Sequence, residues 1–224
     1  MKRVFFLVNK LDEFNFFEYI EKHLNDVNVT VGDSLPQHAN EYDLIVLWSY
    51  RKIIKDVSSK NIILFHSTDL PKGKGWAPIY YSISSGQKYF TISGILADEK
   101  VDSGDIIVKA KFKIKNNYTA EYIRKWDQEI SIILVKKILE KFANKRIKGK
   151  KQIGTTTTNP RRRLQDNEID LKSKFGEKIN HLRACEKNHP AFFYYNKVKY
   201  NIAIEPEPKP EFPSDLKIMF YDST

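Results

Sequence analysis

The sequence predicts an α/β fold around a central, mostly parallel sheet, and two observations carry that prediction. Short, β-rich apolar runs recur at residues 4–8, 27–31, 42–48 and 61–66, each of a length suited to a strand buried on both faces. Between the first two, Phe14, Phe17, Tyr19, Ile20 and Leu24 recur near the helical repeat, so a helix is expected over residues 12–25. Strand, helix and strand in that order is the grammar of parallel sheets joined by right-handed crossovers.

The later elements follow the same logic. Residues 67–75, Ser-Thr-Asp-Leu-Pro-Lys-Gly-Lys-Gly, form a loop by composition. A helix is expected over 77–85, stopped at Gly86, which suits the left-handed residue after a helix end. Residues 89–96 and 106–114 predict strands on either side of an acidic loop at 97–105. One long amphipathic helix is expected over 119–142, with Ile123, Trp126, Ile130, Ile133, Leu134, Ile138 and Phe142 as its apolar stripe.

Residues 148–163 are basic, rich in Gly and Thr, and contain Pro160. They predict an exposed connection and a division into a main domain over 1–150 and a smaller unit over 151–224. In the smaller unit a helix is expected over 173–185, with Phe175, Ile179 and Leu182 on one face. A hairpin follows, turning at Asn196-Lys197, then a Pro-rich spacer over 205–213 and an edge strand over 216–221.

Composition narrows the class. With 224 residues, 41% of them hydrophobic, the chain can bury a core. No apolar run approaches the roughly 20 residues that cross a bilayer, and the run after Met1-Lys2-Arg3 is too short for a signal segment. A lone Cys185 permits no internal disulfide and fits a reducing, cytoplasmic setting. The net charge of +10 favours an anionic partner without choosing among nucleic acid, nucleotide, phosphate and folate.

Two residues stand out chemically. His66 ends a predicted central strand, where open α/β sheets bind ligands, and a Gly-rich loop follows it. Asp102 lies in a loop between strands and could orient and charge-stabilise a histidine. On the residues alone, a structural role is an equally open reading for His66, and a solvated acidic loop is the favoured reading for Asp102. Asp98, Glu99, Asp102 and Asp105 lack the closing Glu and the Gly position of a calcium loop. Lys72-Gly73-Lys74-Gly75 lacks the spacing of a phosphate loop and the Ser or Thr after its Lys. Neither a metal site nor nucleotide hydrolysis is expected.

His66-Ser-Thr-Asp-Leu-Pro71 with Gly75-Trp-Ala-Pro78, and then Thr91-Ile-Ser-Gly94 with Val101-Asp102-Ser-Gly104-Asp105-Ile-Ile107, resemble the two catalytic motifs of N10-formyltetrahydrofolate-dependent formyltransferases. Asp43-Leu-Ile-Val-Leu-Trp48 through Ile53-Ile54 is similar to that family's strand and folate-lining turn. Pro160-Arg-Arg-Arg163, Asp166-Asn-Glu-Ile-Asp170, Leu182-Arg-Ala184 and Pro190-Ala-Phe-Phe193 are similar to the region that follows its catalytic motifs. The likeness runs over residues 43–204.

The resemblance implies a Rossmann-like formyltransferase domain with a small C-terminal helix and β-hairpin. It implies N10-formyltetrahydrofolate as formyl donor, bound by Tyr50, Ile53, Ile54, Asp98 and Asp102, with His66 and Asp102 catalytic and no metal. One departure is plain: the family carries a catalytic Asn two residues before its His, and this chain has Leu64. Asn61 lies three residues from Leu64, roughly 10 Å along the strand and on its other face. The missing donor is left to Ser67, Thr68 or a backbone amide, and Thr68 is carried as the catalytic candidate.

The compact C-terminal unit is most like that of sugar N-formyltransferases. The implied acceptor is the amine of a UDP- or dTDP-linked 4-amino-4,6-dideoxy sugar for lipopolysaccharide or other surface glycans, contacted by Lys72, Lys74 and Trp76. No nucleic-acid or membrane partner is expected. The alternatives are a methionyl-tRNA formyltransferase-like enzyme and a catalytically impaired nucleotide-binding relative. The aromatic hairpin, with Phe192, Phe193, Tyr194, Tyr195 and Tyr200, predicts a homodimer.

Overall fold

A computed structural model describes residues 1–11, 17–52, 54, 61–143 and 145–221. The chain begins with β1 (Lys2–Leu7), α1 (Phe17–His23), β2 (Val27–Gly32), β3 (Leu44–Leu47) and β4 (Ile62–His66). These four strands pair in parallel, β2 and β3 flanking β1 and β4 joining β3. Val4, Phe5, Phe6 and Leu7 are all buried, which is why β1 shows no polar alternation: both of its faces are covered. The first part of the helix expected over 12–25 lies outside the described residues, and the rest is α1.

Next come β5 (Lys74–Gly75), α2 (Pro78–Ser84), β6 (Tyr89–Leu96), β7 (Ile106–Lys113) and α3 (Ala120–Lys141). The direction reverses at β6, which pairs antiparallel with both β4 and β7. The remaining elements are β8 (Thr158–Asn159), α4 (Phe175–Ala184), β9 (Ala191–Tyr195), β10 (Val198–Ile202) and β11 (Lys217–Phe220). β11 closes one edge of the seven-stranded sheet, whose order is β11-β7-β6-β4-β3-β1-β2.

α3 supplies most of the cover on one face of the sheet. Its Ile123, Trp126, Ile130, Leu134 and Ile138 are buried in one cluster with Phe6, Ile63, Phe90, Ile92 and Phe112. Each such aliphatic side chain contributes about 1.5–3 kcal/mol by leaving water. The other face carries two smaller clusters. One joins Phe5, Leu7, Ile45, Ile54 and Ile62, and the second joins Leu70, Ile95 and Ile106 with Leu64 packed against them.

Two features of the C-terminal part go beyond the sequence reading. Of the α4 face formed by Phe175, Ile179 and Leu182, only Leu182 is buried; Phe175 and Ile179 are exposed, and Arg183 and Ala184 are buried beside Leu182. Arg183 tolerates burial because it donates to the carbonyls of Tyr118 at 2.9 Å and Lys115 at 2.7 Å and to Asn180 Oδ1 at 3.0 Å. The connection at 148–163 is exposed along much of its length but does not hang free. Its β8 pairs in parallel with β5, in the loop that follows His66. The hairpin of β9 and β10 turns on Asn196 and Lys197 at φ 47° and 65°, the left-handed pair that a two-residue turn needs. Among the described residues no helix is long and apolar enough to cross a membrane.

Candidate active site

His66 is the last residue of β4, between parallel β3 and antiparallel β6, at the carboxyl edge of the sheet. Its ring is buried, with Nε2 2.9 Å from the carbonyl oxygen of Gly73. That oxygen can only accept, so Nε2 carries a hydrogen. The other nitrogen, Nδ1, faces Asp102 Oδ1 at 3.5 Å. The structure thus brings together the two residues that the sequence singled out.

Asp102 is also buried, and it reaches His66 from a left-handed backbone at φ 51°. Three contacts hold it there. The Gly75 amide donates to its Oδ2 at 3.0 Å. Gln152 Nε2 donates to the carbonyls of both Asp102 and Gly104, each at 2.9 Å. Gly104 packs so closely on Leu96 that a Cβ would fall 1.7 Å from the Leu96 carbonyl oxygen, so the Asp-x-Gly spacing is a steric requirement.

The Gly-rich loop has a role other than phosphate binding. Gly73 and Gly75 sit at φ 72° and 92°, which side-chain-bearing residues rarely adopt. From there the carbonyl of Gly73 faces His66 and the amide of Gly75 faces Asp102. The loop is braced by 148–163: Thr157 Oγ1 accepts from the Gly73 amide at 2.8 Å, and the Asn159 carbonyl accepts from Trp76 at 3.2 Å.

Further groups fix the segment after His66. Lys109, buried on β7, donates to Asp69 Oδ1 at 2.5 Å and to the Leu70 carbonyl at 2.7 Å. Ser93 donates to the Thr68 carbonyl at 2.7 Å. Ser67 lies 2.9 and 3.0 Å from the two carboxylate oxygens of Asp127 on α3. Burial pushes the Asp127 carboxyl up to about 6, against the pull of the Ser67 hydrogen bond and the Arg124 charge.

Sequence reasoning missed Gln152, Lys109 and Asp127. Asp127 left a signal: it stands four residues after Ile123 and three before Ile130, so it interrupts the apolar stripe of α3. Gln152 left none, since its partners lie 48 and 50 residues away.

Of the residues assigned to the donor, Tyr50 and Ile54 pack in one apolar cluster with Ala97, beside the loop that carries Asp102. Ile53 lies outside the described residues. The Asp98 carboxylate turns back on its own loop, accepting from the Glu99 amide at 2.7 Å and Ser103 Oγ at 3.0 Å. Of those assigned to the acceptor, Lys72 is exposed, and Trp76 is 47% exposed with the Arg161 guanidinium 5.0 Å from its ring centre. A cavity of about 450 Å³ lies elsewhere, at the amino end of the sheet, lined by Lys2, Asp43, Asn61 and Phe142 among others. Asn61 is engaged there with the Asp43 carbonyl and the Ile147 amide, each at 3.2 Å.

The sequence profile of the formyl transferase family matches residues 24–138. A methionyl-tRNA formyltransferase from Pelagibacter ubique (strain HTCC1062) is 27% identical over 193 residues, which are 79% of this chain and 61% of that protein. The chain therefore spans less than two thirds of that relative. A 4-N formyltransferase from Francisella tularensis superposes with a TM-score of 0.72 at 20% identity, over 92% of this chain and 98% of that one. HypX from Aquifex aeolicus, in complex with tetrahydrofolic acid, superposes with a TM-score of 0.72 at 16% identity, over 96% of this chain and 40% of that one. The two superpositions establish a common fold.

Proposed function

We propose that this chain, which belongs to the formyl transferase family, moves a formyl group from N10-formyltetrahydrofolate to the amine of a nucleotide-linked amino sugar, a UDP- or dTDP-4-amino-4,6-dideoxy sugar for surface glycans. The observation that carries the chemistry is the buried His66, held between the Asp102 carboxylate and the Gly73 carbonyl at the carboxyl edge of the sheet.

The site fits the donor. The Tyr50, Ile54 and Ala97 cluster offers an apolar wall for a flat ring next to Asp102, and the HypX structure of the same fold contains tetrahydrofolic acid. When bound, the donor supplies the formyl carbon: the amine forms an N–C bond to it, the carbon's bond to N10 breaks, and the amine's proton ends on N10. The chain's part is positioning and charge. Gly73 orients the ring through Nε2. Because Nε2 already donates to Gly73, Nδ1 carries a hydrogen only in the doubly protonated ring, and in that form the hydrogen is offered to Asp102 and the developing oxyanion. Asp102 stabilises the charged ring and exchanges protons through water.

For the acceptor, the Trp76–Arg161 stack and the neighbouring Lys72 and Lys74 suit a nucleobase and a diphosphate. A 4-N formyltransferase shares the fold. On this reading the protein is cytoplasmic and works as a homodimer without nucleic-acid or membrane partners. Its catalytic domain covers residues 1–150 and is braced by the unit over 151–224. The methionyl-tRNA reading is favoured by the name of the sequence relative. The protein should be incubated with 10-formyltetrahydrofolate and, separately, a panel of amino-sugar nucleotides and charged methionyl-tRNA. The mass gain of one formyl group on a sugar nucleotide supports the proposal, and formylation of the tRNA alone replaces it with the second reading. Turnover of neither points to an impaired relative.

A further inference from the structure

We propose that Asn159 is a positioning residue of this site: its side-chain amide, carried on β8, fixes the Gly73 carbonyl that orients the His66 ring. The inference rests on the formyl-transfer reading above for what His66 does. It adds a residue of the 148–163 connection to that machinery.

It begins from one carbonyl that serves two donors. His66 Nε2 donates to the Gly73 oxygen at 2.9 Å, and Asn159 Nδ2 donates to the same oxygen at 3.3 Å. A carbonyl oxygen has two lone pairs and can accept both. This oxygen sets the direction of Nε2, and with it the direction of Nδ1 toward Asp102. When the ring takes its second proton, the bond from Nε2 becomes charge-assisted and so stronger. The aim of the carbonyl therefore matters most at the moment of reaction.

That carbonyl needs holding. Gly73 stands at φ 72° without a side chain to restrain its peptide units. The unit joining Gly73 to Lys74 is gripped by the connection at both ends. Its N–H, from Lys74, donates to the Thr157 carbonyl at 2.9 Å, and its C=O accepts from Asn159. The Asn159 side chain starts from a fixed base, because its backbone lies opposite Gly75 and its carbonyl accepts from Trp76 at 3.2 Å. Thr68 cannot share the task. Its methyl carbon Cγ2 is the atom that would lie closest to a Cβ on Gly73, at 2.8 Å, and its Oγ1 has no partner among the described residues. Asn159 is the side chain that joins His66 on this oxygen.

The test compares Asn159→Ala and Asn159→Asp with wild type by steady-state kinetics, thermal unfolding and NMR of the histidine ring nitrogens. Asp has the shape of Asn, but its carboxylate only accepts, so it separates the hydrogen bond from packing. Both variants should lower kcat about ten-fold, with KM for either substrate and the unfolding midpoint near wild type. In the protein without substrates, the His66 signal is identified by its loss in His66→Asn. It should show the hydrogen on Nε2 in wild type and should shift or broaden in both Asn159 variants. Wild-type kcat or an unchanged His66 signal in Asn159→Asp overturns the inference. So does a fall in kcat that tracks a fall in the unfolding midpoint, since that pattern marks packing. If wild type formylates no acceptor, the formyl-transfer reading fails, and the NMR comparison still decides whether Asn159 holds His66.

Discussion

Gln152 donates to the carbonyl of Asp102 at 2.9 Å across a separation of 50 residues, and so pins the turn from which Asp102 faces His66. A second bond to Gly104 makes the side chain a clip across the Asp-x-Gly turn. Gln152→Ala should let that turn relax, and displacement of Asp102 by even an ångström should cost roughly ten- to hundred-fold in kcat. KM for the acceptor should change little. Steady-state kinetics check this, and wild-type turnover in the variant would show that Gly75 and Gly104 suffice to hold Asp102.

His66 and Asp102 should be far less replaceable. Asp102→Asn keeps the shape and the contact with the Gly75 amide but removes the charge opposite Nδ1. A loss of about 10³–10⁴-fold in kcat is expected, as for other histidines that lose their carboxylate. His66→Asn should fall by at least as much. Folate binding, measured by fluorescence titration with tetrahydrofolate, should survive His66→Asn. Near wild-type turnover in His66→Asn would place the chemistry elsewhere.

The parallel half of the fold was legible because strands buried on both faces read as unbroken apolar runs, as at Val4 to Leu7. The meeting of His66 and Asp102 was legible because His66 ends a strand and Asp102 lies in the loop between the next two strands of the sheet. What escaped was long-range and polar. Gln152 has no periodicity to betray it, and Lys109 looks like one more charge in a Lys-rich strand until its contacts with Asp69 and Leu70 are seen. The burial pattern of α4 has a physical cause. Arg183 is buried because Tyr118 and Lys115 offer it carbonyls, a bargain invisible to a hydrophobic pattern, and the helix turns Phe175 and Ile179 outward as it packs.

Asp127 should give the protein a measurable pH signature. Its carboxyl is raised from 3.8 to about 6 in the folded protein, chiefly by burial. The folded state therefore holds this proton more tightly than the unfolded chain. The stability associated with it is fully present below pH 3.8 and is lost as pH rises through about 6. Asp127→Asn keeps an acceptor for Ser67 but cannot ionise. It should be more stable than wild type at pH 7, by on the order of 1–3 kcal/mol, with the advantage shrinking as pH falls toward 4. Urea unfolding at pH 4, 5.5 and 7 measures this, and a constant difference across the series would show that Asp127 does not carry the effect.

The hairpin leads to the last prediction, that two copies of the chain pair through it. Phe192 is buried, which ties β9 to the body of the protein, but Tyr194, Tyr195, Val198 and Tyr200 are all about half exposed. Phe193 and Tyr200 stack at 5.4 Å between ring centres, so the pair forms a flat, preformed aromatic surface. A two-stranded hairpin cannot cover such a surface by itself, and exposed aromatic patches of this kind mark contact sites. Light scattering at micromolar concentration should therefore give about twice the 26.3 kDa chain mass. The change Tyr195→Asp should give the single-chain mass with the unfolding midpoint of the monomer fold intact, because Tyr195 is 59% exposed and on the same hairpin face as the Phe193–Tyr200 stack. A single-chain mass for the wild-type protein would remove the dimer and leave the hairpin as a surface feature tied to the chain through Phe192.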